Sequence, residues 1–122
     1  MKKTNRVVKN KDFSLVIKSG QLKKNNTFKV YCLENKLQLV RVGIAASTKL
    51  GNAVIRSTTR RKIRAICDLL IDYDQYSLDL IIVPKNSFLE QDYSKNKSDL
   101  QELLENYLRT KKWKEEQNLE LD

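Results

Sequence analysis

Across Lys49, Leu50 and Gly51 the chain changes its hydrophobic period, and the change dictates a strand followed by a helix. From Leu39 to Ser47, Val40, Val42, Ile44 and Ala46 alternate with Arg41, Gly43, Ala45 and Ser47, which is the period of a strand. Small residues fill much of the second face, so another element or a ligand can approach closely there. Beyond Gly51, Ile55, Ile63, Ile66, Leu69 and Leu70 fall on one stripe of a helix turning about 100° per residue. Asn52 is its expected cap and Ile71 its approximate end.

The remaining segments supply partners. Met1 to Lys9 reads as a basic extended arm. Asn10 is placed to cap a short helix that carries Phe13, Val16 and Ile17 on one face and stops at Gly20. Gln21 to Thr27 reads as a polar connection. Phe28, Val30 and Cys32 alternate with Lys29, Tyr31 and Leu33 as a strand, and Glu34 to Lys36 makes a turn. An antiparallel hairpin of Phe28–Leu33 with Leu39–Ser47 is expected. A further strand runs from Leu78 to Val83 and stops at Pro84. A final helix begins near Ser94 with Leu100, Leu103, Leu104, Tyr107 and Leu108 at helical spacing. The expected fold is α+β: a small, mostly antiparallel sheet packed with helices in the order α-β-β-α-β-α. With 122 residues, the chain holds one domain, residues 1–114, followed by a polar tail at 115–122.

Charge narrows the function. The chain carries 24 Lys and Arg against 15 Asp and Glu, a net charge of +9. Residues 1–64 hold 17 basic and 2 acidic residues, so the positive charge is segregated and calls for a polyanionic partner. On the helix after Gly51, Arg56, Arg60 and Arg64 are four residues apart and share a face, Arg61 widens it, and Lys49 precedes its N-terminus. Like charges at this spacing repel by a few tenths of a kcal/mol, and no acid lies between Lys49 and Arg64 to offset them. Asp68, Asp72 and Asp74 come only later. Lys62 falls at the edge of the apolar stripe and has to snorkel. Guanidinium forks suit phosphate, as does the helix N-terminus at Asn52. Tyr31 faces opposite Phe28 on its strand and is the better candidate for stacking on unpaired bases, whereas Phe13 and Phe28 read first as core.

Several classes fall away. The chain has no histidine, no Gly-rich phosphate loop and no GxSxG elbow, so no catalytic residue is assigned. Cys32 and Cys67 lack metal-ligand or redox spacing and read as buried, reduced thiols of a cytoplasmic protein. No apolar run is long enough for a membrane span. Two strands directly before the basic helix argue against a helix-turn-helix DNA reader, which needs a preceding helix. An RNA-binding protein is the leading reading, with a solvated basic face that has no partner as the plainer alternative.

The run Arg41-Val-Gly-Ile-Ala-Ala-Ser-Thr-Lys-Leu-Gly-Asn-Ala-Val-Ile-Arg56, followed by Arg60-Arg61-Lys-Ile-Arg64, resembles the protein subunit of bacterial ribonuclease P. Asn10-Lys-Asp-Phe13 and Leu80-Ile-Ile-Val-Pro84 match in order and spacing as well. The resemblance implies a ribosomal-protein-like fold with a left-handed βαβ crossover. It also implies an accessory role in an endoribonuclease whose RNA subunit removes the 5′ leader of precursor tRNA with Mg²⁺. That metal would be held mainly by the RNA and none by the protein alone. Lys49, Asn52, Arg56, Arg60, Arg61 and Arg64 would contact the catalytic RNA; Phe13, Ile17 and Tyr31 would line the leader cleft. Ser57 and Thr58 depart from the family's Asn and Arg, Arg60 stands for its usual Lys, and Lys62 occupies a commonly apolar position. Lys11, Lys18, Lys23 and Lys24 are candidates to compensate. A general RNA-binding module, such as a ribosomal or RNA chaperone protein, is the alternative.

Overall fold

In the computed structural model, which describes residues 1–121 and side chains through residue 109, a 3₁₀ turn at Lys3–Asn5 opens the chain. Then follow α1 (Asn10–Ser19), β1 (Gln21–Lys24), β2 (Phe28–Glu34), β3 (Val40–Ile44), α2 (Ala53–Leu70), β4 (Leu78–Pro84), a short α3 (Ser87–Glu90) and α4 (Tyr93–Leu121). The four strands form one mixed sheet in the order β1-β2-β4-β3. The α+β class and the packing of helices on a small, mostly antiparallel sheet are as the sequence implies.

The expected β2–β3 hairpin does not form. Instead, β4 lies between the two strands, antiparallel to β2 (Tyr31 opposite Ile81) and parallel to β3 (Gly43 opposite Ile81). The cause is in the side chains. Leu78, Leu80, Ile81 and Ile82 are all buried, so β4 has two apolar faces and belongs at the centre of the sheet. β2 and β3 each carry more solvent-facing residues and take flanking places. The α2 crossover returns the chain to pair parallel beside β3.

Three further assignments change. Gln21–Lys24 is an edge strand, pairing with Lys29–Cys32, rather than a connection. Asn10 begins α1, with Lys9 in the cap position and no side-chain cap bond there. The N-terminal segment is docked: the buried Asn5 donates from Nδ2 to the Val40 carbonyl (2.9 Å), Val7 N–H donates to the Val42 carbonyl (3.0 Å), and Arg6 bridges to Val42 in parallel.

Each sheet face builds its own core. On one face Phe28, Val30, Cys32, Val42, Leu80 and Ile82 pack with Ile63, Ile66 and Cys67 of α2 and Leu100, Leu103 and Leu104 of α4. Burying a side chain of this size contributes about 1.5–3 kcal/mol, so this face holds the domain together. The buried stripe of α2 is Thr59, Ile63, Ile66 and Cys67; Ile55 and Leu69, expected in it, are 37% and 64% exposed. On the other face a smaller cluster of Val7, Val16 and Ile81 gathers Phe13, Tyr31, Leu33, Ala45 and Val83 beneath α1. Residues 115–121, expected as a tail, continue the backbone of α4, and Asp122 lies outside the described residues.

Candidate nucleic-acid interface

Asn52 caps α2 as expected: its side-chain oxygen accepts from the Ile55 N–H at 3.0 Å. Gly51 has φ +157°, a conformation side chains rarely adopt, and a Cβ there would meet Ile55 at 2.9 Å. The preceding turn is anchored by the buried Leu50, whose N–H donates to the Ser47 carbonyl at 3.0 Å. That anchoring leaves Lys49 exposed at the mouth of the helix, beside N–H groups and a dipole end that favour anions.

Arg56, Arg60 and Arg64 run along α2 half-buried, with Arg61 and Asn52 exposed beside them. The structure thus brings the six expected RNA-binding residues onto one helix and its entry. Burial, and then the positive charges of Arg6 and Arg60, push the Arg64 guanidinium below its ordinary pKa. Arginine titrates far above neutrality, so this is a crowd of standing positive charges. Among the described residues none of these basic groups forms an ion pair. Asp68, the nearest following acid, is occupied by the Met1 amine (2.9 Å) and the Tyr73 hydroxyl (2.8 Å).

Arg56 sharpens the point. Its Nε is buried and has no hydrogen-bond partner among the described residues. A buried donor without an acceptor costs about 1–3 kcal/mol, a cost removed when the side chain turns its Nε toward an acceptor. Arg6 belongs to the same face and was missed from the sequence, because only the docking of Asn5 and Val7 fixes it there. Its charge acts on both Arg64 and Asp68.

The second expected site lies on the α1 face of the sheet. Phe13 and Tyr31 pack against the same small cluster, so these two are brought together. Ile17 is 42% exposed and lies outside that cluster. Phe13 rests on Gly43, where a Cβ would come within 2.6 Å of its ring. Opposed cross-strand residues share a face, and the pairs Leu22–Tyr31 and Lys24–Lys29 continue this one to the sheet edge. Lys29, two residues before Tyr31, is therefore a further basic group here that strand alternation alone could have found. Lys23 faces the other way, where it opposes the burial that raises the Cys32 thiol pKa to about 12. The acids of the cleft face are engaged: Arg41 grips the buried Asp79 from Nε (2.8 Å) and Nη2 (2.6 Å) and approaches Asp12 at 3.7 Å. What remains is a half-open aromatic surface with a lysine margin, suited to an unpaired polynucleotide.

The comparisons with known proteins cover both surfaces. A family model described as Ribonuclease P matches residues 1–108. The ribonuclease P protein component of Streptococcus agalactiae serotype Ia is 39% identical over 97 residues, which span 76% of this chain and 84% of that protein. A solved structure of a Staphylococcus aureus RNase P protein mutant with defective mRNA degradation activity is similar, with a TM-score of 0.78 at 30% identity, over 86% of this chain and 89% of that one. The RNase P protein from Thermotoga maritima gives 0.73 at 26% identity, over 83% and 96%.

Proposed function

This chain belongs to the ribonuclease P protein family, and on that footing we propose that it is the subunit that helps a catalytic RNA remove the 5′ leader from precursor tRNA in the cytoplasm. Lys49, Asn52, Arg56, Arg60, Arg61 and Arg64 hold the phosphates of the RNA subunit. Phe13 and Tyr31, with Ile17 at the exposed side of α1, receive the single-stranded leader. Cleavage belongs to the RNA, with Mg²⁺ held mainly there. The protein's part is to neutralise phosphate charge and position the substrate.

The observation that carries this reading is the buried, partnerless Arg56 Nε within an arginine face that has no ion pair among the described residues. A stripe of cations that no carboxylate answers, with one donor already desolvated, is built for an external anion. Phosphates at polynucleotide spacing meet several such groups at once.

The test compares precursor tRNA with and without its leader, bound to the protein assembled on its RNA subunit. The leader should add affinity, and Tyr31→Ala should remove that increment while leaving leaderless binding unchanged. Equal affinity for the two substrates with unaltered protein would favour a general RNA-binding module instead.

A further inference from the structure

The helix that carries the arginine face has a second flank. Going round α2 from Arg64 and Arg61, the next positions are Val54, Thr58 and Lys62, with Thr58 and Lys62 one turn apart on the same stripe. These side chains form one wall of a cleft of about 330 Å³, which Phe88, Leu89, Gln91, Tyr93 and Asn96 close from the opposite side. Its floor is buried: Ile66, and Phe88 held edge-on against Phe28 at 5.7 Å. The Asn96 Nδ2 donates to the Phe88 carbonyl (2.9 Å) and the Gln91 Nε2 donates to the Asn96 Oδ1 (2.9 Å), which fixes the far wall. The rim is apolar and open to solvent, with Val54 74%, Leu89 46% and Tyr93 48% exposed.

We infer that this cleft receives an unstacked nucleobase of the same RNA that lies on the arginine face, with Lys62 on that nucleotide's phosphate. The inference rests on α2 being the RNA-binding helix, and it extends the contact to the helix's other flank. Three observations select the occupant. The cleft begins where the arginine face ends, at Arg61 and Val54, so a strand crossing the helix reaches it without a break. Among the described residues its single charged lining residue is Lys62, which forms no ion pair there, and no carboxylate lines it. Its volume lies at the lower end of small-ligand pockets, right for one flat group. A protein partner would need roughly 800 Å² of surface on this side, far more than such a cleft offers. Tyr93 offers an aromatic face, and any base can stack on one.

The test is equilibrium binding of the full chain to a transcript of its cognate RNA subunit over a range of salt, with Arg60→Ala as reference and thermal melts to verify folding. Tyr93→Ala should weaken binding at least about fivefold, the low end for loss of one stacked base, with an unchanged salt slope. Tyr93→Phe should bind like the unaltered chain. Lys62→Ala should weaken binding and flatten the slope. Leu89→Ala, at a half-exposed position, serves as the second variant and should weaken binding too. If Tyr93→Ala and Leu89→Ala both bind within twofold of the unaltered chain while Arg60→Ala does not, the cleft is empty of RNA and the inference is overturned alone. If Arg60→Ala also binds normally, the RNA-binding reading of α2 falls, and this one with it.

Discussion

The ring of Phe13 lies directly on Gly43, so close that a Cβ on the glycine would stand 2.6 Å from the Phe13 Cζ and 2.8 Å from the Ile81 Cδ1. The surface proposed to receive the leader therefore depends on a missing side chain. Gly43→Ala should push the ring away or force the sheet to shift, at a cost of about 1–3 kcal/mol for overpacking. Urea denaturation should report that loss, and affinity for leader-bearing substrate should fall with it. A variant as stable as the original, binding leader equally well, would show that the ring moves freely.

Asn52 separates stability from binding. Its cap bond to Ile55 implies that Asn52→Ala loses about 1 kcal/mol in thermal or urea unfolding. Asn52→Asp keeps an equivalent cap, yet places a negative charge where phosphate is expected. It should fold normally and bind RNA more weakly, most visibly at low salt.

The arginine face predicts a salt signature. Single Ala substitutions at Arg56, Arg60 or Arg64 should weaken RNA binding and reduce the slope of log K against log salt by about 0.7 to 0.9 for each phosphate no longer neutralised. Folding should survive, because these residues form no ion pair among the described residues. Weaker binding with an unchanged slope would mean that they do not touch phosphate.

Asp99 predicts a pH dependence. Burial raises its pKa, but hydrogen bonds from Thr27 and Lys95, the Lys95 charge and a bond from Gln91 outweigh it, and the net shift is downward from the ordinary 3.8. A carboxylate with a depressed folded pKa stabilises the fold fully above its unfolded value, and that contribution drains away as pH falls through the folded value. The Thr27 Oγ1 donates to the Asp99 Oδ2 at 2.6 Å, tying the β1–β2 turn to α4. Asp99→Asn should therefore cost roughly 1.5–3 kcal/mol at neutral pH, as expected for bonds to a charged group. The gap between the two proteins should narrow below about pH 4, judged against the ordinary carboxylate range.

Much of this was legible in local pattern. The change of period at Gly51 gave the strand, the Asn52 cap and the helix. Alternation in β2 gave its two faces, with Phe28 inward to one core and Tyr31 toward the other. What local pattern could not give was pairing. The position of β4 between β2 and β3 depends on residues distant in sequence, although its unbroken apolar run signals a strand buried on both faces. β1 escaped because Gln21–Lys24 is a polar edge with no burial alternation. Arg6 joined the arginine face only through docking of its neighbours. Ser57 and Thr58, where the family pattern is broken, take different places: Ser57 is exposed, while Thr58 lines the cleft on the second flank of α2.

Reconstitution decides whether the protein assists a catalytic RNA. The protein is combined with its cognate RNA subunit at an Mg²⁺ concentration too low for the RNA alone, and 5′ cleavage of precursor tRNA is followed. Added protein should restore cleavage, and the combined Arg56→Ala, Arg60→Ala and Arg64→Ala variant should restore far less. Cleavage that stays at the level of RNA alone when the unaltered protein is added would mean that the chain does not assist that RNA.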